Sequence, residues 1–247
     1  MAGLIRPRAV LWRLLGLQAS WSYERMQGTG VGWAIEPELR ARFGADSPRY
    51  REALARAAMF FNANPFLAAA AVGAEARAEV DEVPGPQVER LRTALCGPLG
   101  ALGDRLFWAG VVPGLGAAAI IAVTFGAGVW AALGVVLLHN ALRLLLGRWL
   151  LGLGWAHGLR IGGAISATSI PRSADRAVAA AAVLCTAAVP IAARWLVPGG
   201  VGQEVVVVAA FMAAALLLRA LLGPRGSARR LTLLGAAVVL VWHWINP

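Results

Sequence analysis

Cys96-Gly97-Pro98-Leu99-Gly100-Ala101-Leu102-Gly103-Asp104-Arg105-Leu106-Phe107-Trp108 divides the sequence into two kinds of chain. Before it the residues are charged, mixed in polarity and helical in pattern. After it come long apolar runs in which Asp175 and Glu204 are the only acidic residues. Three glycines and a proline predict an irregular backbone at the start of the stretch, because glycine costs backbone entropy and proline removes a hydrogen-bond donor. Asp104-Arg105 then sits directly against an aromatic, apolar run, which reads as entry into a membrane. Asp104 is expected to hold this break together through Arg105 or through nearby backbone N–H groups.

Composition agrees with that reading. Hydrophobic residues make up 59% of the chain, charged residues only 15%, and the mean hydropathy is +0.65. Too little charge remains to solvate a globular surface, so the apolar excess must face lipid or partner chains. The expected fold is an all-α membrane protein. Amphipathic, interfacial helices over 1–92 precede a transmembrane region, 93–247, of about five to six membrane-embedded helices, some broken or re-entrant. The net charge of +10 comes entirely from arginine, since the chain has no lysine. These arginines are spaced by apolar runs rather than clustered, which suits cytoplasmic loops and argues against a nucleic-acid partner. Cys96 and Cys185 offer neither metal-ligand spacing nor a disulfide framework. Arg6 to Gln18 is basic and apolar but lacks a small-residue cleavage pattern, so the N-terminus is expected to stay attached and cytoplasmic.

Outward from the opening stretch, the elements follow from periodicity and breakers. Leu11, Leu14, Leu15, Leu17 and Trp21 predict an amphipathic helix over Val10 to Met26, lying in the membrane interface or against the protein's own core. Gln27-Gly28-Thr29-Gly30 is expected to end it. A helix from about Ser47 to Phe60 has Ser47 as N-cap and Pro48 at its first position. Asn62-Ala63-Asn64-Pro65 reads as a turn exposing amide groups, because a residue before proline is pushed toward extended backbone. A helix over Leu67 to Val83 turns acidic toward Glu75, Glu79, Asp81 and Glu82, and Val83-Pro84-Gly85-Pro86 breaks the chain before helix resumes at Gln87 to Leu95. From Leu106 to Leu142 there is no charged residue, a run nearly twice the roughly 30 Å of a hydrocarbon core. Pro113-Gly114 and Gly126-Ala127-Gly128 are its candidate breaks. His139-Asn140 falls at the end of this run and reads as an interfacial pair near a helix terminus. Trp149 to Ile170 is a weak span, whereas Ala177 to Ala193, Val205 to Leu222 and Leu231 to Ile245 are stronger. Trp242 and Trp244 fit an interfacial aromatic belt.

Several chemistries lack their residues. Without lysine there is no Walker-type phosphate loop, and neither His-Glu-x-x-His nor Cys-x-x-Cys occurs. An intramembrane hydrolase would have to pair His139 or His157 with Ser166, Ser169 or Ser173, and no nucleophile-elbow pattern surrounds those serines. No catalytic group, metal site or cofactor is therefore expected. Polar groups gathered at backbone breaks suit a small hydroxylated solute instead. Sugars need paired donors and acceptors beside an aromatic face, and Gln18, Asn62, Asn64, Asp104 and Trp108 can supply them.

Three blocks carry a family resemblance. Leu17-Gln18-Ala19-Ser20-Trp21-Ser22-Tyr23-Glu24-Arg25-Met26-Gln27 resembles the N-terminal block of the IID component of the mannose/fructose/sorbose-type phosphotransferase system. Phe60-Phe61-Asn62-Ala63-Asn64-Pro65 is similar to that family's Phe-Asn-Thr-x-Pro block, with Ala63 where threonine is usual. Gly97 to Trp108 is similar to its Gly-Pro-Leu-Ala-Gly-x-Gly-Asp-x-x-Phe-Trp signature. The resemblance covers roughly residues 10 to 165. It implies a multi-pass subunit of the bacterial inner membrane that forms, with a IIC partner, the unit that binds and translocates a hexose-type sugar. It implies too that phosphoryl transfer belongs to IIA and IIB partners that carry phosphohistidines, and that this subunit has no nucleophile of its own. A membrane scaffold that recruits phosphorylated partners for regulation, without transport, is the alternative. On the resemblance, the Asn62–Pro65 and Gly97–Asp104 breaks lie at the membrane-embedded face near the sugar.

Overall fold

The computed structural model describes residues 3–196 together with Met212 and Leu216. Among them the backbone is helical, and two isolated β-bridges, Ser22 with Met26 and Met26 with Phe61, stand in place of a sheet. The helices are α1 (Pro7–Leu14), α2 (Gly28–Phe43), α3 (Pro48–Ala57), α4 (Ala68–Val80), α5 (Gly85–Gly103), α6 (Val112–Thr124), α7 (Val129–His157), α8 (Ile161–Ala167) and α9 (Ile170–Leu196). A π-helical segment, Asp104–Val111, joins α5 to α6, and a 3-10 turn, Gly158–Arg160, joins α7 to α8. The chain forms two compact units, Met1–Asp104 with Asn140–Pro171, and Arg105–His139 with Arg172–Pro247.

The first unit is organised around α4. Ala68, Ala69, Ala70, Ala71 and Val72 are all buried, and the small side chains let a neighbouring helix come close. A methyl group added at Gly73 would overlap the Leu151 carbonyl, and one at Gly154 would overlap that of Ala70. The α4–α7 crossing is thus set by backbone against backbone, the small-residue packing that membrane helices use. Leu17, Ile35, Leu39 and Leu67 complete the core around it. The start of α1 is held from α2, where the buried Glu38 carboxylate accepts from the Ile5 and Arg6 amides at 2.8 Å each and pairs with Arg42 at 3.2 Å. Ser47 caps α3, accepting from the Tyr50 amide at 3.0 Å, with Pro48 at the first position as the sequence predicts.

In the second unit α9 lies along the π-helical segment and α6 through small residues. A Cβ at Gly110 would stand 2.7 Å from that of Ala177, and Gly114 faces Ala181. The Cys185 thiol donates to the Pro113 carbonyl, 3.6 Å away. Arg105 and Asp175 form an ion pair at one end of this contact.

Several expectations need correction. The glycine- and proline-containing stretch does not break the helix. α5 runs straight through Gly97 and Pro98, because Leu91, Leu95 and Leu99, spaced at one turn, are buried and hold that face in place. Pro98 loses one backbone bond, but packing outweighs propensity. The irregularity falls later, as the π-helical turn that begins at Asp104. Asp104 does not pair with Arg105, whose partner is Asp175. The amphipathic helix predicted to Met26 stops at Leu14 and gives way to turns. Gln27-Gly28-Thr29-Gly30 begins a helix rather than ending one, since a Cβ at Gly28 would overlap the Met59 carbonyl and one at Gly30 that of Leu17. His139 and Asn140 lie within α7, not at a helix end.

Of the two candidate breaks in the uncharged run, Pro113-Gly114 is absorbed into α6. Gly126-Ala127-Gly128 is the turn, with φ of +91° at Gly126 and +50° at Gly128. Among the described residues two helical stretches are long and apolar enough to cross a membrane, Gly85–Thr124 (40 residues) and Val129–Ala167 (39 residues). Each holds about twice the residues that a helix needs to cross a hydrocarbon core. Phe125 in the turn between them and Trp130, Leu137 and Leu145 in the second are all more than two-thirds exposed, an apolar surface suited to lipid or a partner chain. The predicted spans Val205–Leu222 and Leu231–Ile245, with Trp242 and Trp244, lie outside the described residues.

Candidate functional site

The Met59–Phe66 loop between α3 and α4 carries the asparagine block, and elements distant in sequence hold it from three sides. From the N-terminal block, the Gln27 amide N–H and the Phe61 carbonyl bond at 2.8 Å, and the Phe61 amide donates to Arg25 at 3.2 Å. Met26, with φ of +50°, turns the chain so that Gln27 follows this path. The Gln27 side chain is buried and reads both polar groups of Ala63. Its Nε2 donates to the Ala63 carbonyl at 2.7 Å, and its Oε1 accepts from the Ala63 amide at 3.4 Å. A glutamine side chain pairing with a backbone amide in this way replaces a missing ladder partner.

From α5, Arg92 holds the other end of the loop. Its guanidinium donates to the Met59 carbonyl at 2.7 Å, to the Phe60 carbonyl at 3.1 Å and to the Glu75 carboxylate at 2.7 Å, while lying 5.1 Å from the Phe61 ring centre. Arg92 and Glu75 are each about 3% exposed along their side chains. A cation so buried is stable only when its donors are all answered, as they are here.

The third grip joins the asparagine block to the glycine-rich block. Asn64 Nδ2 donates to Asp104 Oδ1 at 3.0 Å, and Asn64 Oδ1 accepts from the Phe66 amide at 3.1 Å. The Asn64 carbonyl accepts from the Leu67 and Ala68 amides, starting α4. Gly103 is required beside it, because a Cβ there would overlap the Asn64 side chain. Cys96 closes the loop's outer edge, its sulfur 3.5 Å from the Asn62 amide nitrogen.

Of the residues that the sequence proposes for a site, three meet here and differ in state. Asn64 is buried and its amide is engaged at both ends, so it builds the loop. Asn62 and Asp104 are exposed at it. An exposed carboxylate holding one asparagine keeps lone pairs for further donors. Trp108 is half-exposed on the π-helical segment. Gln18 is not brought to the loop. It sits exposed in the turns after α1, where its carbonyl accepts from the Trp21 amide.

The glutamine that matters to this geometry is Gln27, read in sequence as a helix terminator. Its place immediately before a Gly-x-Gly that begins a tightly packed helix was the available signal. Arg92 and Glu75 carried none, since a pair of residues 17 apart on two helices is made only by their packing. Among the described residues no group of three or more His, Cys, Asp or Glu side chains could hold a metal ion.

Comparison with known proteins shows what the chain is similar to. The mannose-specific EIID component of Escherichia coli (strain K12) is 33% identical over 111 residues, 43% of this chain and 39% of that protein. The fructose permease IID component of Bacillus subtilis (strain 168) is 29% identical over 150 residues, 59% of this chain and 54% of that one. The chain therefore spans well under two-thirds of the length of these relatives. A cryo-EM structure of the mannose transporter ManYZ in complex with microcin E492 is similar at a TM-score of 0.57 and 25% identity, over 75% of this chain and 69% of that chain. A second membrane-protein structure shares the fold at a TM-score of 0.66 and 21% identity, over 98% and 97% of the two chains. The model of the mannose/fructose/sorbose family of PTS IID components matches residues 6–196, and the chain belongs to that family.

Proposed function

We propose that this chain is the non-catalytic membrane subunit of a phosphoenolpyruvate-dependent sugar permease in the bacterial inner membrane, crossing it several times. With a IIC partner it forms the unit that binds and translocates a hexose-type sugar, while IIA and IIB proteins carry the phosphoryl group. The observation that supports this reading best is the Asn64–Asp104 bond, which ties two of the three family blocks into one rigid loop, with Gln27 of the first block beneath it. Such a loop is pre-organised, so polar groups at its surface meet a ligand without first paying to order themselves. Asn62 and Asp104 are the groups proposed to meet sugar hydroxyls. Asn64, also read in sequence as a sugar contact, is assigned instead to holding Asp104.

The test is sugar uptake in membrane vesicles that hold this chain and a IIC partner and are supplied with IIA, IIB and phosphoenolpyruvate. Asp104→Ala and Asn62→Ala should each lower uptake on the order of tenfold, the cost of losing a hydrogen bond to a charged or well-placed group. Gln18→Ala should leave it unchanged. Uptake by both loop variants at the wild-type rate would remove the site assignment. Binding of IIB without any solute accumulation would instead favour the regulatory scaffold.

A further inference from the structure

Beneath the loop, Glu75 is buried to 2% exposure, and only one of its two carboxylate oxygens has a protein partner. The residue lines a cavity of about 10 Å³, shared with Arg56, Glu79, Glu89, Arg92 and Ile35. That is the room one water molecule takes. We propose that Glu75 Oε1 is a proton-binding site, and that its protonation loosens the grip of Arg92 on the Met59–Phe66 loop.

The charges around the cavity carry this assignment. Arg56, from α3, is committed to Glu79 of α4 through two bonds of 2.9 Å. Arg92 of α5 pairs with Glu75, and the half-buried Glu89 lines the same cavity. Three glutamates and two arginines leave one negative charge in a small, poorly solvated space, and one proton cancels it. α2 contributes only the apolar Ile35 here. Its Glu36 pairs with Arg13 and Arg40, and its Glu38 with Arg42. Arg77 pairs with Asp81, Arg143 of α7 bonds the Leu15 carbonyl, and Arg148, His157 and Arg160 are exposed. Among the described residues no further cation therefore faces Glu75. Burial accordingly pushes the Glu75 carboxyl above its ordinary range, against the opposite pull of Arg92.

The proton comes from solvent and sits on Oε1, leaving Oε2 as a neutral acceptor. Arg92 then loses its charge-assisted anchor, and its bonds to the Met59 and Phe60 carbonyls compete with water. The group is ionised and the loop held at high pH, and the group is neutral and the loop looser at low pH. Cys96, whose sulfur borders Asn62, reports the change.

The experiment measures iodoacetamide labelling of Cys96 in the full chain in native membranes, by mass spectrometry, from about pH 4 to about pH 9. Labelling rates are compared between wild type and Glu75→Gln, which carries no ionisable group. The rate ratio cancels the ionisation of the thiol itself. Glu75→Gln should label about tenfold faster than wild type at the alkaline end, with the two converging at the acid end. A ratio independent of pH overturns the proposal. Should the variant fold poorly, infrared spectroscopy of the wild-type chain over the same range supplies the second measurement. A protonated-carboxyl C=O band that titrates with the labelling rate supports the assignment, and labelling that follows thiol ionisation alone overturns it. Neither readout depends on sugar or on a IIC partner, so the transport reading stands or falls separately.

Discussion

Asn64 accepts, donates and turns the chain within one residue, and its neighbours show how little freedom that leaves. Replacing it by alanine removes its bonds with the Phe66 amide and the Asp104 carboxylate. Asn64→Ala should lower unfolding free energy by about 2 kcal/mol, measured by thermal unfolding in detergent, more than Asp104→Ala because Asp104 is exposed and can turn to water. A double-mutant cycle between the two positions should show coupling of roughly 1 kcal/mol, and additive losses would refute the bond's contribution. Gln18→Ala should fall within about 0.5 kcal/mol of wild type, as an exposed substitution does. A pH-dependent contribution is expected at Glu82, where Arg49 holds the carboxyl below its ordinary range through a 2.6 Å bond and its charge. A lowered folded-state value adds stability above the unfolded value, and that stability disappears as pH falls through the folded one. Glu82→Gln should therefore melt slightly below wild type at neutral pH and level with it in strong acid.

At the scale of elements, two helix starts have different causes. α3 begins where local chemistry says it should, with Ser47 as cap and Pro48 at the first turn, and Ser47→Ala should cost about 1 kcal/mol in the same melting assay. α2 begins where glycines permit close approach to the Met59 and Leu17 carbonyls, a cause invisible to capping rules. The same contrast governs α4 and α7. Gly73→Ala or Gly154→Ala drives a methyl group into a backbone carbonyl, and each should reduce the yield of folded protein in membranes severely, beyond about 3 kcal/mol. Gly97→Ala, with nothing near it, should be tolerated and could even firm α5. Equal behaviour of Gly97→Ala and Gly154→Ala would mean that helix propensity, not packing, sets these positions.

For the molecule as a whole, membrane character rests on long apolar helical stretches that leave large apolar side chains uncovered. The charge is all arginine, and within the first unit seven arginines are paired. Arg13, Arg40, Arg42, Arg49, Arg56, Arg77 and Arg92 each meet a carboxylate. That pairing explains how so charged an N-terminal half coexists with an alanine-lined core. It also explains why its acidic residues, Glu38, Glu75 and Glu79, are found inside. The chain should stay in the membrane pellet after an alkaline wash that strips peripheral proteins, and release into the supernatant would contradict its membrane assignment.

Sequence alone determined the helical class, the membrane setting, the family, the α3 cap and the turn at Asn62–Pro65, and it narrowed the break in the uncharged run to two candidates, of which the structure uses Gly126–Gly128. Each of these depends on composition, on ordered local motifs, or on residues whose own backbone preferences decide the outcome. The tertiary structure decided the rest. It carried α5 through Gly97 and Pro98 because buried leucines outweigh one lost hydrogen bond. It set Gln27 against Ala63, gave Asp104 to Asn64 and Arg105 to Asp175, and put Glu75 beneath Arg92. Partners 17, 40 and 70 residues apart meet only when helices pack. No local rule carries that information, because a charge or an amide chooses its partner by what the fold brings within 3 Å or so of it.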